Sequence, residues 1–289
     1  MVLTQWLVAS EASTAANEVP LRIQLLGPPR VLRDGEAVAL PGSRKVKALL
    51  AYLALARAPV SRSQLCQLLW ERPSDPRGEL RWCLSKLRAI VDDPDGRRIQ
   101  TRGDTIAFDS ANCDVDAIEI GRMSEAALDA LGPRERQRAA MQFGGDFLEG
   151  LEIGHSPPFE HWLTAQRRRF RALHARLLRN LASALPDEEA FAYLERWLEI
   201  APFDGDVHKM LLGALTRRHR IREAKEHVEA TTRLFEAEGL DCRPIRDAWR
   251  SARLRGSALR QPMQLTAFRY VRRATDSRHR DPHRRSCAA

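Results

Sequence analysis

Little in this 289-residue chain is grouped as metal, disulfide or cofactor chemistry would require. Its five cysteines, Cys66, Cys83, Cys113, Cys242 and Cys287, include no C-x-x-C pair. An odd, scattered set suits neither a disulfide framework nor a zinc site, so reduced structural thiols are expected. The histidines form no H-E-x-x-H, and His155, His161 and His174 stand among arginines and apolar residues without carboxylates at ligand spacing. Neither a metal nor a cofactor is expected. The patterns G-x-x-x-x-G-K-[ST], G-x-S-x-G and G-x-G-x-x-G are all missing, which removes the usual support for a nucleotide-dependent or hydrolytic enzyme. Long apolar runs are missing too. The opening MVLTQWLVAS has no charged leading region and turns polar at Ser10, too short for a secretion signal or a spanning helix. A cytoplasmic, non-enzymatic protein with no membrane partner is the expectation.

What is present is enough apolar material, 44% of residues, for packed cores, and a length that favours two domains. The net charge of +9 is unevenly spread: residues 20–110 carry +6 and residues 251–289 carry +8, whereas 111–250 carry −3 and 1–19 carry −2. Basicity therefore belongs to the first domain and to the end of the chain. A polyanion fits such surfaces, although a domain charge of this size does not by itself select one.

The local patterns give the first domain its shape. Leu21 to Leu25 alternates apolar with polar, and Asp34-Gly35 interrupts Val31 to Leu40 with a strong hairpin signal. In KVKALLAYLALAR, Val46, Leu49, Leu50 and Leu53 recur at helical spacing until Ala58-Pro59. Ser61 with Gln64 has the form of a capping box and opens a second helix through Leu65, Leu68 and Leu69. Asp75 then caps a third helix with Pro76 at its first position, and the pattern runs to Val91.

On that third helix Leu80, Leu84, Leu87 and Val91 form one stripe, while Arg81, Ser85 and Arg88 share another side with Trp82, Lys86 and Ala89 beyond them. Taken alone, such a basic face is most often a solvated surface. It is followed, however, by Ile99 to Arg102 and Thr105 to Phe108 flanking Gly103-Asp104, a hairpin with a basic tip. A short helix, a turn, a longer helix with a basic outer side and then a hairpin is the order of a winged helix-turn-helix, which binds duplex DNA. Arg81, Ser85, Lys86 and Arg88 are the candidate contacts of the recognition helix. Arg44, Lys45, Lys47 and Arg102 are candidates for backbone or minor-groove contact, with solubility as the rival reading of the first three.

The run from Leu25-Leu26-Gly27 through Asp34-Gly35, Ala48 to Ala54, Val60-Ser61-Arg62, Leu68-Leu69-Trp70 and Leu80 to Arg88 resembles the Streptomyces antibiotic regulatory protein family. That resemblance implies an OmpR-like winged helix, binding to promoter repeats and recruitment of RNA polymerase in transcription activation. By position it puts Arg81, Ser85 and Arg88 where the recognition helix faces the duplex. Trp82 departs from the polar residue expected there; it either packs under the wing, the favoured reading, or contacts DNA. The loop from Glu71 to Gly78 falls where similar winged helices touch polymerase, but turn chemistry explains its composition equally well.

Beyond Asp114 the chain is strand-poor, with helical periods over Glu160 to Leu185, Asp187 to Ile200, Gly205 to His219 and Ile221 to Glu238. Glu189-Ala190 recurs as Glu223-Ala224 and Tyr193-Leu194 aligns with His227-Val228, a spacing of 34 that matches tetratricopeptide-like helix pairs. Phe147-Leu148-Glu149-Gly150, Phe159-Glu160-His161-Trp162 and Leu194 to Pro202 resemble the bacterial transcriptional activation domain of the same family. Stacked helix pairs offer a concave face for a peptide, a helix or a second protomer, and so a route to regulation or to a homodimer on DNA; a rigid spacer is the plainer alternative.

The expected fold is mainly α with a small antiparallel β component. It consists of a leader over 1–19, a winged helix over 20–110, a tetratricopeptide-like domain over 111–250 and a disordered basic tail over 251–289. The competing function is a helical-repeat adaptor whose winged helix no longer reads DNA.

Overall fold

A computed structural model describes residues 21–71, 75–93, 96–154 and 156–258. The expected leader, Cys287 and the basic tail beyond Ala258 lie outside those residues, as do His155 and residues 72–74 of the loop assigned to polymerase. The described chain divides into two compact units between Pro202 and Phe203.

The first unit opens with β1 (Leu21–Gln24), β2 (Arg30–Arg33) and β3 (Glu36–Val38). Leu21, Ile23 and Val31 turn inward and are fully buried, as alternation requires of a half-buried sheet. Asp34 and Gly35 both adopt positive φ, +51° and +82°, which is what a two-residue hairpin connection asks of its central pair. Helices α1 (Arg44–Leu55), α2 (Arg62–Leu69) and α3 (Pro76–Val91) follow, with the two-residue strand β4 (Val60–Ser61) between the first two. The wing is β5 (Ile99–Arg102) and β6 (Thr105–Phe108), and it pairs through β6 with β4 to make a three-stranded sheet.

The next strand, β7 (Cys113–Val115), returns to lie parallel to β1, with Ile23 opposite Val115. It completes a four-stranded sheet in the order β3, β2, β1, β7 that is otherwise antiparallel. The Asp116 carboxylate, buried directly after β7, accepts the N–H groups of Leu25 at 2.8 Å and Leu26 at 3.0 Å, beyond the end of β1. Burial pushes its pKa up to about 6 against the pull of these donors.

Helices α4 (Asp116–Arg122), α5 (Glu125–Ala130) and α6 (Pro133–Met141) lead to the 28-residue α7 (Pro157–Ala184) and to α8 (Asp187–Ile200), which packs on it. One hydrophobic core runs from Leu21 to Leu181 without interruption. Its aromatic centre is Trp162 of α7, edge-on to Tyr52 of α1 at 5.1 Å and to Phe147 at 5.9 Å. The Ser156 hydroxyl donates to the Leu68 carbonyl of α2. The boundary expected near residue 110 thus falls within continuous packing, and α7 forms part of the floor beneath α1 and α2.

The second unit holds α9 (Gly205–Arg217), α10 (Ile221–Ala237) and α11 (Arg243–Ala258), which pack on one another. Val207, Leu212, Ala224, Phe235 and Ile245 are buried among them. Of the positions aligned by the 34-residue spacing, Ala190 and Ala224 are both buried and Tyr193 and His227 both half-buried, whereas Leu194 is buried and Val228 only half-buried. One sequence expectation needs correction. The tail was placed from Ser251, yet α11 continues to Ala258 and Ala252 is 2% exposed, because Ala252 continues the buried stripe of Ile245 and Ala248 at helical spacing.

Candidate nucleic-acid interface

The helix-turn-helix is fixed at each start by side-chain caps. Ser61 Oγ accepts the Gln64 N–H at 3.1 Å while Gln64 Oε1 accepts the Ser61 N–H at 3.1 Å, so α2 begins with a closed capping box. Asp75 Oδ1 accepts the Gly78 N–H at 2.8 Å, and Pro76 takes the first helical position of α3, where its missing donor costs nothing. Leu80, Cys83, Leu84, Leu87, Ile90 and Val91 make the inward stripe of α3. Desolvation there pushes the Cys83 thiol up to about 11, which keeps it a neutral packing group.

The outward side of α3 carries Arg81, Trp82, Ser85, Lys86 and Ala89, all exposed. Arg81 has one acidic neighbour, Asp75 at 3.9 Å, a separation that leaves the guanidinium available to a stronger partner. Arg88 is placed differently. It is half-buried, and its Nη2 donates to Thr101 Oγ1 of β5 at 2.9 Å while its buried Nε has no acceptor. Arg88 therefore braces the wing against α3, a role that the helical wheel could not display because the partner lies on another element.

Trp82 requires a correction. It is 48% exposed and does not pack beneath the wing; the Lys86 ammonium lies 5.6 Å from its ring centroid, within cation–π range. The inward stripe is complete without it. Arg77, exposed in the first turn of α3, adds a cation one turn before Arg81. The i,i+4 spacing of these two arginines was the sequence signal for it.

Arg102 is exposed at the wing tip beside Gly103, which takes φ +56°. The cations at the start of α1 are more engaged. Arg44 is exposed but reaches the Glu152 carbonyl at 3.3 Å, Lys45 lies 5.1 Å from the Trp70 ring centroid, and Lys47 is half-buried. The structure thus joins Arg81, Ser85 and Lys86 on one open face, ties Arg88 to the wing that ends in Arg102, and leaves Arg44, Lys45 and Lys47 at the start of a different helix. Among the described residues no three metal-ligating side chains cluster, and no helix is long and apolar enough to cross a membrane.

No family model matches the chain. It is 30% identical over 239 residues to the regulatory protein AfsR of Streptomyces coelicolor, a match covering 78% of this chain and 23% of that protein. The chain therefore spans about a quarter of the length of this curated relative. Its fold is similar to that of Mycobacterium tuberculosis EmbR, solved in complex with a low-affinity phosphopeptide: the TM-score is 0.61 at 21% identity, covering 83% of this chain and 69% of that one.

Proposed function

We propose that the chain is a member of the Streptomyces antibiotic regulatory protein family, a reading supported by its 30% identity to AfsR, and that it regulates transcription by binding duplex DNA sequence-specifically through α3. The observation that carries the proposal is the open face of α3, where Arg81, Ser85 and Lys86 point outward from a capped helix and Arg88 fixes the neighbouring wing. A helix of this width enters the major groove, where an arginine fork recognises guanine and other cations neutralise phosphates. Arg81 is the base-reading candidate, Lys86 a phosphate or base contact, and Ser85 a small residue that permits close approach. Arg88 acts as a positioning residue, and Arg102 meets the backbone or minor groove from the wing tip. Arg44, Lys45 and Lys47 contribute at most to the surrounding field, because Lys45 and Arg44 already have partners.

In this reading the protein is an activator that binds promoter repeats as a homodimer and recruits RNA polymerase, with the helical part supplying the protein contacts. The test is a salt titration of the full chain on the promoter fragment upstream of its own operon. Specific binding should weaken as salt rises, and Arg81→Ala should lower affinity by roughly 5- to 100-fold, the range for one lost base or phosphate contact. Equal, weak binding to every duplex would remove the regulator reading and favour a helical-repeat adaptor.

A further inference from the structure

Trp82 lies on the outward face of α3 but offers no charge to a base or a phosphate. Trp82 exposes nearly half of its surface, which is unfavourable for a large apolar ring with burial available nearby. Folding does not require it, because Leu80, Cys83, Leu84 and Leu87 complete the inward stripe. Its neighbours Ser85 and Ala89 are small and exposed, so they leave a ledge beside the indole. Lys86, one turn on, lies across the ring and holds the two side chains as a pair. Trp82 also sits roughly 120° round the helix from Arg88, on the flank away from the wing strand that Arg88 touches.

A flat apolar side chain on the outer face of a groove-entering helix matches the one apolar group that the major groove displays, the C5-methyl of thymine. We propose that Trp82 is a specificity-determining residue whose indole packs on a thymine methyl of the recognised site, with Lys86 carrying its charge onward to a neighbouring phosphate. This inference rests on the DNA-reading function given above. It adds a preference that arginine contacts alone would not produce, since those select guanine.

The experiment selects duplexes from a random library with the full chain, then replaces each thymine of the preferred site singly by uracil, which lacks only the methyl. At one or two positions the substitution should weaken wild-type binding about fourfold, the ratio expected for one buried methyl group. At those positions Trp82→Ala should bind thymine and uracil alike, and Trp82→Phe should retain part of the preference. Arg81→Ala should lose affinity while keeping the wild-type thymine-to-uracil ratio. The proposal is overturned if no position senses the methyl, or if Trp82→Ala preserves the wild-type ratio throughout. A library that yields no preferred sequence overturns the DNA-reading premise instead, a distinct result.

Discussion

Helices α3 and α10 are both amphipathic and both rich in charge, yet they handle that charge in opposite ways. At the start of α10 three cations are paired within the helix or its cap, Arg220 with Glu223, Arg222 with Glu226 at 2.8 Å and Lys225 with Glu229 at 3.7 Å, while Arg233 further on is exposed. On α3 no carboxylate follows Glu79 before the helix ends: Arg81 has only the loose pair with the cap residue Asp75 at 3.9 Å, Lys86 lies over the Trp82 ring and Arg88 donates to Thr101. A self-paired face is a solvated surface, and its exposed pairs contribute little. A basic face with one loose acidic neighbour, held rigid by caps, is free to meet an external anion. A helical wheel alone scores both helices as amphipathic and cannot separate an open basic face from a self-paired one.

The largest break in the comparison comes from removing what supports α3. A fragment ending at residue 110 loses β7, Asp116 and the packing of Phe147, Phe159, Trp162 and Phe170. Each of the fully buried Phe147, Phe159 and Phe170 is worth about 3–5 kcal/mol when truncated, so the combined loss is comparable to the roughly 5–15 kcal/mol by which domains are stable. Chemical denaturation should show no cooperative transition for 20–110 and a cooperative one for 21–202.

Acid probes the same scaffold next. His174, 4% exposed and stacked on Phe143 at 4.2 Å, is held neutral by burial, its pKa pulled down to about 3. Its folded pKa lies below the unfolded value. The unfolded chain therefore binds the extra proton first, and the stability that neutral His174 provides is present above the unfolded pKa of about 6.5 and lost as pH falls towards the folded one. Asp116, raised to about 6, works the other way, taking up its proton in the folded state between about pH 6 and pH 4. Replacing His174 by leucine should therefore remove about 2–3 kcal/mol of the pH sensitivity between pH 7 and pH 4.5, measured by urea denaturation at the two values.

The smallest effect belongs to α10. Arg222→Ala should change stability by less than about 1 kcal/mol and leave DNA affinity unchanged, whereas a loss of affinity there would mean that the second unit shares the interface.

Much of this was legible in the sequence because it is local. The Ser61 and Gln64 capping box, the Asp75-Pro76 start of α3, the Asp34-Gly35 turn and the starts of α8 and α10 at Asp187 and Ile221 all depend on residues within a few positions of one another. What was not legible depends on distant partners. The parallel pairing of β7 with β1 joins residues about ninety positions apart, and neither strand carries a signal of the other. The same holds for the Asp116 carboxylate on the Leu25 and Leu26 N–H groups and for Arg88 on Thr101. Trp82 failed for another reason. The wheel placed it correctly beside the basic face, but the general preference of indole for burial argued for packing, and only the complete inward stripe shows that the core has no place for it.

The open charge on α3 is tested most directly by measuring the affinity of the full chain for its selected duplex and for a scrambled duplex of equal composition, at one salt concentration. Wild type, and a chain with Arg222→Ala and Lys225→Ala in α10, should both prefer the selected duplex by about a thousandfold or more. A chain with Arg81→Ala and Lys86→Ala in α3 should lose most of that ratio. If the α3 variant kept its preference while the α10 variant lost it, the reading face would lie elsewhere and the assignment to α3 would be wrong.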